Sequence, residues 1–379
     1  MTRLGAITQI NRRELLAAML AAPSMPAGAA PTAPVAIGKC AGYDQDQAVL
    51  LDGLFDKIGG LGRLVKNKSV TVKVNLTGSP ALKFQGKALG LTHYTHPAQM
   101  MAFAHLCERA GARRVRFVES AWGTAGPLEE YMLDSGWNVR KMKAAAANVT
   151  FDNTNGLGDF KKYVKFRAPG GGAVFPSYML NEVYAQTDVF VSLAKLKNHA
   201  TCGVTLSMKN LFGITPASIY GDDAGADDPN EKPQKGRVEV CHIGKRKPAA
   251  IAEPERDPAS TREATERMPR IVVELNGARP VDLAIIDGIE TVTGGEGPWI
   301  RGLRHVKPGI VIVGTNAVTT DTVATAAMGY DPRAERSGAF AKCANTLLLG
   351  ERAGLGAADL KQIEVRGVAL REAMFPFAG

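Results

Sequence analysis

The stretch Ser69-Val-Thr-Val-Lys-Val-Asn-Leu76 decides the architecture. Val70, Val72, Val74 and Leu76 alternate with Thr71, Lys73 and Asn75, and a period of two marks a strand with one buried face. A long loop follows. A helix is then expected from Pro97, a favoured first position, through Met100, Met101, Phe103, Ala104 and Cys107 to a stop at Gly111. Residues 115–118 form the next strand. Strand, loop, helix and strand make a βαβ unit, which implies a parallel sheet.

The same reading extends outward. Residues 49–58 carry a helical apolar pattern, and residues 188–193, 283–287 and 310–314 are short apolar runs of the kind buried on both faces of a parallel sheet. A helix is expected over residues 317–328 and an edge strand over 362–365. The fold predicted is α/β, with mostly parallel, Rossmann-like sheets flanked by helices. It is expected as two lobes with a cleft, residues 36–215 and 271–379. Between them, residues 221–268 hold Asp222, Asp223, Asp227 and Asp228, several prolines and Lys245-Arg246-Lys247, the composition of an irregular insertion or lid.

Residues 1–30 read as an address rather than as structure. Arg12-Arg13 precede an apolar run from Leu15 to Ala22, and Ala27-Gly28-Ala29 offers a small-residue cleavage site. That order is a secretory signal, and the paired arginines point to the twin-arginine route and a periplasmic protein. No segment reaches the length of a membrane span.

Hydrophobic content of 45% and charged content of 22% are ordinary for a globular chain of 379 residues. The net charge of +9 is scattered and aromatics are 6%, so nucleic acid is not an expected partner. The five cysteines lie far apart with no C-x-x-C pair, which leaves no ligand set for a zinc ribbon or a ferredoxin-type cluster.

Chemistry is concentrated after the strand ending near Leu193. Lys195, Lys197 and His199 follow at once, then Lys209, Asn210 and Gly213. Ligands of open α/β sheets bind beyond the carboxyl ends of strands, where lysines supply point charges for a carboxylate or phosphate and a histidine supplies an acid or base. Lys195, His199 and Lys209 are the candidate catalytic groups. Candidate ligand-binding groups are Lys73 and Asn75 on the first strand, Thr95 in its loop, Ser120 ending the next strand, Lys197, Asn210, and Asp287 and Glu296 in Ile285-Ile-Asp-Gly-Ile-Glu290 and the glycine-rich turn after it. His93 and His96 stand three apart, a spacing met both in metal sites and in helix caps.

These stretches resemble the domain of unknown function 362 family. The residues that carry the resemblance are Val72-Lys-Val-Asn-Leu76, Thr95-His-Pro97, Lys195-Leu-Lys-Asn-His199 with Met208-Lys-Asn-Leu-Phe-Gly213, Ile286-Asp-Gly288 with Glu296-Gly-Pro298, and Thr315-Asn-Ala-Val-Thr-Thr-Asp321 leading to Met328-Gly-Tyr-Asp-Pro332. Many relatives carry a cluster-binding cysteine region. This chain lacks it, so the resemblance brings no iron–sulfur cofactor with it. The order of parts also resembles the nickel-pincer lactate racemases, although their signature is not reproduced. The expectation is therefore an exported enzyme of redox or isomerase type acting on a small anionic substrate, or a non-catalytic cofactor- or metal-binding protein of the periplasm. The identity of any cofactor or metal and the oligomeric state are not legible in the sequence.

Overall fold

A computed structural model describes residues 30–224, 232–233 and 236–377. The expected export segment lies outside them, apart from Ala30.

The strands, in chain order, are β1 (Val35–Lys39), β2 (Ser69–Lys73), β3 (Arg114–Glu119), β4 (Val149–Asn153), β5 (Tyr163–Arg167), β6 (Ser177–Asn181), β7 (Val189–Lys195), β8 (Lys197–His199), β9 (Gly203–Thr205), β10 (Leu283–Gly288), β11 (Thr291–Thr293), β12 (Arg304–Val306), β13 (Ile310–Gly314) and β14 (Val365–Gly367). Eight of them form one sheet in the order β14-β1-β13-β10-β7-β2-β3-β4, and β5-β6, β8-β9 and β11-β12 are separate two-stranded pairs. Within the large sheet only β13 runs against its neighbours, pairing antiparallel with both β1 and β10. The βαβ unit is present as read: β2, the helix Pro97–Arg109 and β3, with Val70 opposite Val115 in parallel register.

Successive residues of each central strand feed two cores. Val70, Val72, Val189, Val191, Ile285 and Val313 pack with the helices Gln47–Lys57 and Pro97–Arg109 on one face. Phe190, Ala284, Ile286 and Ile312 pack with the helices Ala264–Ala278 and Ala317–Ala327 on the other. Helices on both faces are what a mostly parallel sheet requires.

Two expectations are corrected. The chain from Pro31 onward forms one compact unit, not two lobes. The reason is the sheet itself: β10 pairs in parallel with β7, and β1 pairs with β13, so strands of both supposed lobes are hydrogen-bonded neighbours. Nor does β2 have a wet face, because it lies inside the sheet and Thr71 and Lys73 are as buried as Val70 and Val72. Its polar alternation builds a polar site under the opposite layer.

Candidate functional site

From β2 the chain moves one way across the sheet to β3 and β4. It then returns to the other side of β2 to lay down β7 and β10. The carboxyl ends of β2 and β7 therefore flank a topological switch point, the crevice where open α/β sheets take ligands. A cavity of about 490 Å³ opens there.

Seven of the residues expected from the sequence line it: Lys73, Asn75, Ser120, His199, Lys209, Asn210 and Glu296. Four do not. Lys195 and Asp287 form an ion pair at 3.0 Å with neither side chain accessible to solvent. Lys197 is fully buried, and Thr95 is tied into the chain, its hydroxyl donating to Leu193 O at 2.9 Å and accepting from Asn75 N–H at 2.9 Å. These four hold the walls rather than the contents. The His93–His96 pair is also structural: His96 Nδ1 accepts from Ala98 N–H at the start of the helix, and its ring stacks on Tyr43 at 3.5 Å. Among the described residues no three His, Cys, Asp or Glu side chains converge to hold a metal ion.

An ammonium has three protons to donate, and counting them sorts the four lysines. Lys195 Nζ donates to Tyr43 Oη at 2.8 Å, to Gly90 O at 2.7 Å and to Asp287 Oδ2 at 3.0 Å. Lys73 Nζ donates to Val74 O at 2.5 Å and Asn210 Oδ1 at 3.2 Å and meets Glu119 Oε1 at 2.7 Å. Lys197 Nζ donates to His93 O at 2.7 Å and Glu296 O at 3.0 Å. Only Lys209 has no acceptor among the described residues. Its ammonium lies 4.6 Å over the ring of Phe212 and faces the cavity. Burial pulls the Lys73 ammonium down to about 8 despite Glu119, and lowers that of Lys209 as well.

Lys209 is placed by a short helix, Ser207–Asn210, whose first N–H groups donate to the buried carboxylate of Asp321, Ser207 N at 2.8 Å and Met208 N at 2.7 Å. Gly213 lies under the Lys73–Glu119 pair: a Cβ there would stand 2.5 Å from Glu119 Oε1 and 2.6 Å from Lys73 Nζ. Glycine is what lets the pair close against the backbone.

His199 Nδ1 accepts from Thr201 N–H at 3.1 Å, which leaves the ring proton on Nε2. Burial, with Lys209 close by, holds this imidazole well below its ordinary range, so it is neutral. In this tautomer the ring carries a donor at Nε2, whereas the sequence reading left it as acid or base. Glu296 is likewise engaged, accepting from Ala200 N–H at 2.9 Å and Trp299 Nε1–H at 3.1 Å.

Arg237, Trp122, Trp299, His242 and Glu119 line the same cavity and were not singled out from the sequence. Arg237 donates to Ser120 Oγ at 2.9 Å and Thr215 O at 2.5 Å. It comes from the segment read as a lid. Two buried polar atoms on the wall, Asn75 Oδ1 and Arg237 Nε, have no partner among the described residues. Each such atom costs roughly 1–3 kcal/mol unless something meets it.

A family profile described as Domain of unknown function (DUF362) matches residues 70–326. The chain belongs to this family. The DUF362 match spans both walls of the cavity, from β2 to the helix that carries Asp321. The chain is also 25% identical over 283 residues to a thylakoid-associated protein of Synechocystis sp., an alignment that covers 74% of this chain and 69% of that one. A crystal structure of a protein from Thermotoga maritima is similar with a TM-score of 0.34 and 13% identity, over 71% of this DUF362 chain and 56% of the other. The nickel-pincer lactate racemase likeness is not shown by these matches.

Proposed function

We propose that the cavity binds a small molecule through one anionic group seated on the Lys209 ammonium, and that this binding serves an exported enzyme of isomerase or redox type. The observation that carries the reading is the proton count: of four lysines brought near the switch point, Lys209 alone faces the cavity without an acceptor among the described residues. Around it, Arg237 adds positive charge, and His199 offers its Nε2–H to a second oxygen of the ligand. A neutral imidazole donor beside a cation polarises a carbonyl or carboxylate, which is the part these residues would play in turnover.

One observation favours a second reading, a carrier that holds its ligand without transforming it. The two carboxylates on the cavity wall, Glu119 and Glu296, are both engaged by protein donors, so neither is free as a base. Replacing His199 by glutamine separates the two readings: a carrier keeps its ligand and loses nothing else, whereas an enzyme keeps its ligand and loses turnover.

The binding itself is tested by calorimetric titration of the folded protein with inorganic phosphate and with small carboxylates such as acetate and lactate. Lys209→Met is expected to weaken binding at least tenfold with the thermal midpoint almost unchanged, because no hydrogen bond among the described residues is lost and methionine still packs on Phe212. Binding by Lys209→Met equal to that of the parent overturns the reading. Export by the twin-arginine route is part of the same proposal and has its own test. Arg12→Lys with Arg13→Lys is expected to leave the protein in the cytoplasmic fraction, and an unchanged periplasmic yield refutes it.

A further inference from the structure

We infer that the molecule held by Lys209 is an aromatic anion, a planar ring system bearing a carboxylate or phosphate; this rests on the anion-binding reading above and narrows it to a ligand class. The argument begins at the rim. Leu82, Trp122, Val238 and Trp299 are among the few large apolar side chains that stay exposed in the described residues, and all four line this one cavity. Scattered exposed apolar residues need no explanation, but a contiguous set around a concave site marks a binding surface.

The two indoles are built as fixed plates. Trp122 is 45% exposed and Trp299 is 43% exposed, so each indole keeps nearly half of its surface open. The six-membered ring of Trp299 lies against Gly78 and Gly297, where a Cβ on either would run into it, and its Nε1–H is pinned by Glu296 Oε1 at 3.1 Å. The pyrrole edge of Trp122 lies against Gly236, whose Cβ would stand 2.8 Å from Nε1. Glycine backbones let an indole lie flat and hold it there.

The floor has the opposite character. Lys209 Nζ and the Arg237 guanidinium both lie over the Phe212 ring, at 4.6 and 5.1 Å, and the cations turn this aromatic into a positive platform. Cationic ligands are repelled. A ligand that satisfies both layers puts negative charge at the bottom and a flat apolar body between rigid indoles at the top. Offset or edge-on ring packing gives an arene a gain over an alicyclic body of equal size.

The test uses the full chain and three probes of like charge: 2-naphthoate, its saturated counterpart decahydro-2-naphthoate, and acetate, titrated by calorimetry. 2-Naphthoate is expected to bind at least tenfold more tightly than decahydro-2-naphthoate. Trp299→Leu and Trp122→Leu should each reduce that preference about fivefold and leave acetate binding within twofold, while Trp299→Phe, which keeps an arene, restores most of it. Lys209→Met should weaken all three probes together. Equal affinity for 2-naphthoate and decahydro-2-naphthoate, with both lost in Lys209→Met, overturns the aromatic assignment and leaves the anion site standing. Affinities for all three probes that are indifferent to Lys209→Met overturn both. Circular dichroism of each variant confirms that the comparison is between folded proteins.

Discussion

Replacing Glu119 by alanine is expected to cost about 3–5 kcal/mol of stability at pH 7, the usual result of leaving one partner of a buried ion pair alone. Glu119 is the hub of the cavity floor. Its carboxylate meets Lys73 Nζ at 2.7 Å and accepts from Leu76 N–H at 2.9 Å and Ser120 N–H at 3.0 Å. Both side chains of the pair are almost inaccessible. Without the carboxylate, the Lys73 ammonium has no counter-charge, Leu76 N–H loses its acceptor, and Ser120 N–H keeps only Gly213 O at 3.1 Å.

The loss should depend on pH in a way that identifies its cause. Burial already holds Lys73 at about 8 in the folded protein, below its ordinary 10.5. Removing Glu119 takes away the neighbouring negative charge that raises it, so the folded value drops further. Between the folded and unfolded values the unfolded chain binds more protons, and stability therefore rises with pH. The variant should recover part of its deficit relative to the parent as pH climbs from 7 to 10. Equilibrium urea unfolding at several pH values measures this, and a deficit that stays constant or widens refutes the assignment.

Asp287→Ala is expected to be comparably severe, about 3–5 kcal/mol. Asp287 accepts from Tyr43 Oη at 2.7 Å, Lys195 Nζ at 3.0 Å and His96 N–H at 3.2 Å. It thereby joins β10, β7, the loop after β1 and the start of the Pro97–Arg109 helix at one buried point. Asp287→Leu combined with Lys195→Met should be milder than Asp287→Ala alone, since replacing both charges with apolar groups of similar volume avoids the stranded ammonium. A double variant as unstable as the single one would show that the cost lies in Tyr43 and His96 and not in the ion pair.

The contrast among the lysines marks where sequence reading stops. Lys195, Lys197 and Lys209 are equally conspicuous after an apolar strand, and their location at the sheet's carboxyl edge is legible from that strand alone. Which of them is free is not legible, because the acceptors that occupy Lys195 and Lys197 come from Gly90 and His93, about a hundred residues earlier. Arg237 was hidden by its surroundings, since a single arginine in a proline- and aspartate-rich stretch reads as solvated. Glu119 left a signal that went unused: a carboxylate closing the run Val115-Arg-Phe-Val-Glu119 inside a buried strand needs a partner. The two-lobe expectation failed because short strands alternating with helices have the same pattern whether one sheet or two results. Register between distant strands, such as Ile285 opposite Leu193, is not written in either segment.

The placement of β1 sets the timing of folding. Val35 faces Gly314 on one side and Val365 on the other, so the first strand made has both its neighbours among the last. A nascent chain can assemble β2, β3, β4 and β7 while Val35–Lys39 remains an unpaired ribbon, and the sheet is completed only once β13 and β14 have been made. Closing so long a loop is slow and leaves a hydrogen-bonding edge open meanwhile. For this protein, the hazard of misassociation falls in the interval between the synthesis of β1 and the docking of β13 and β14 on either side of it.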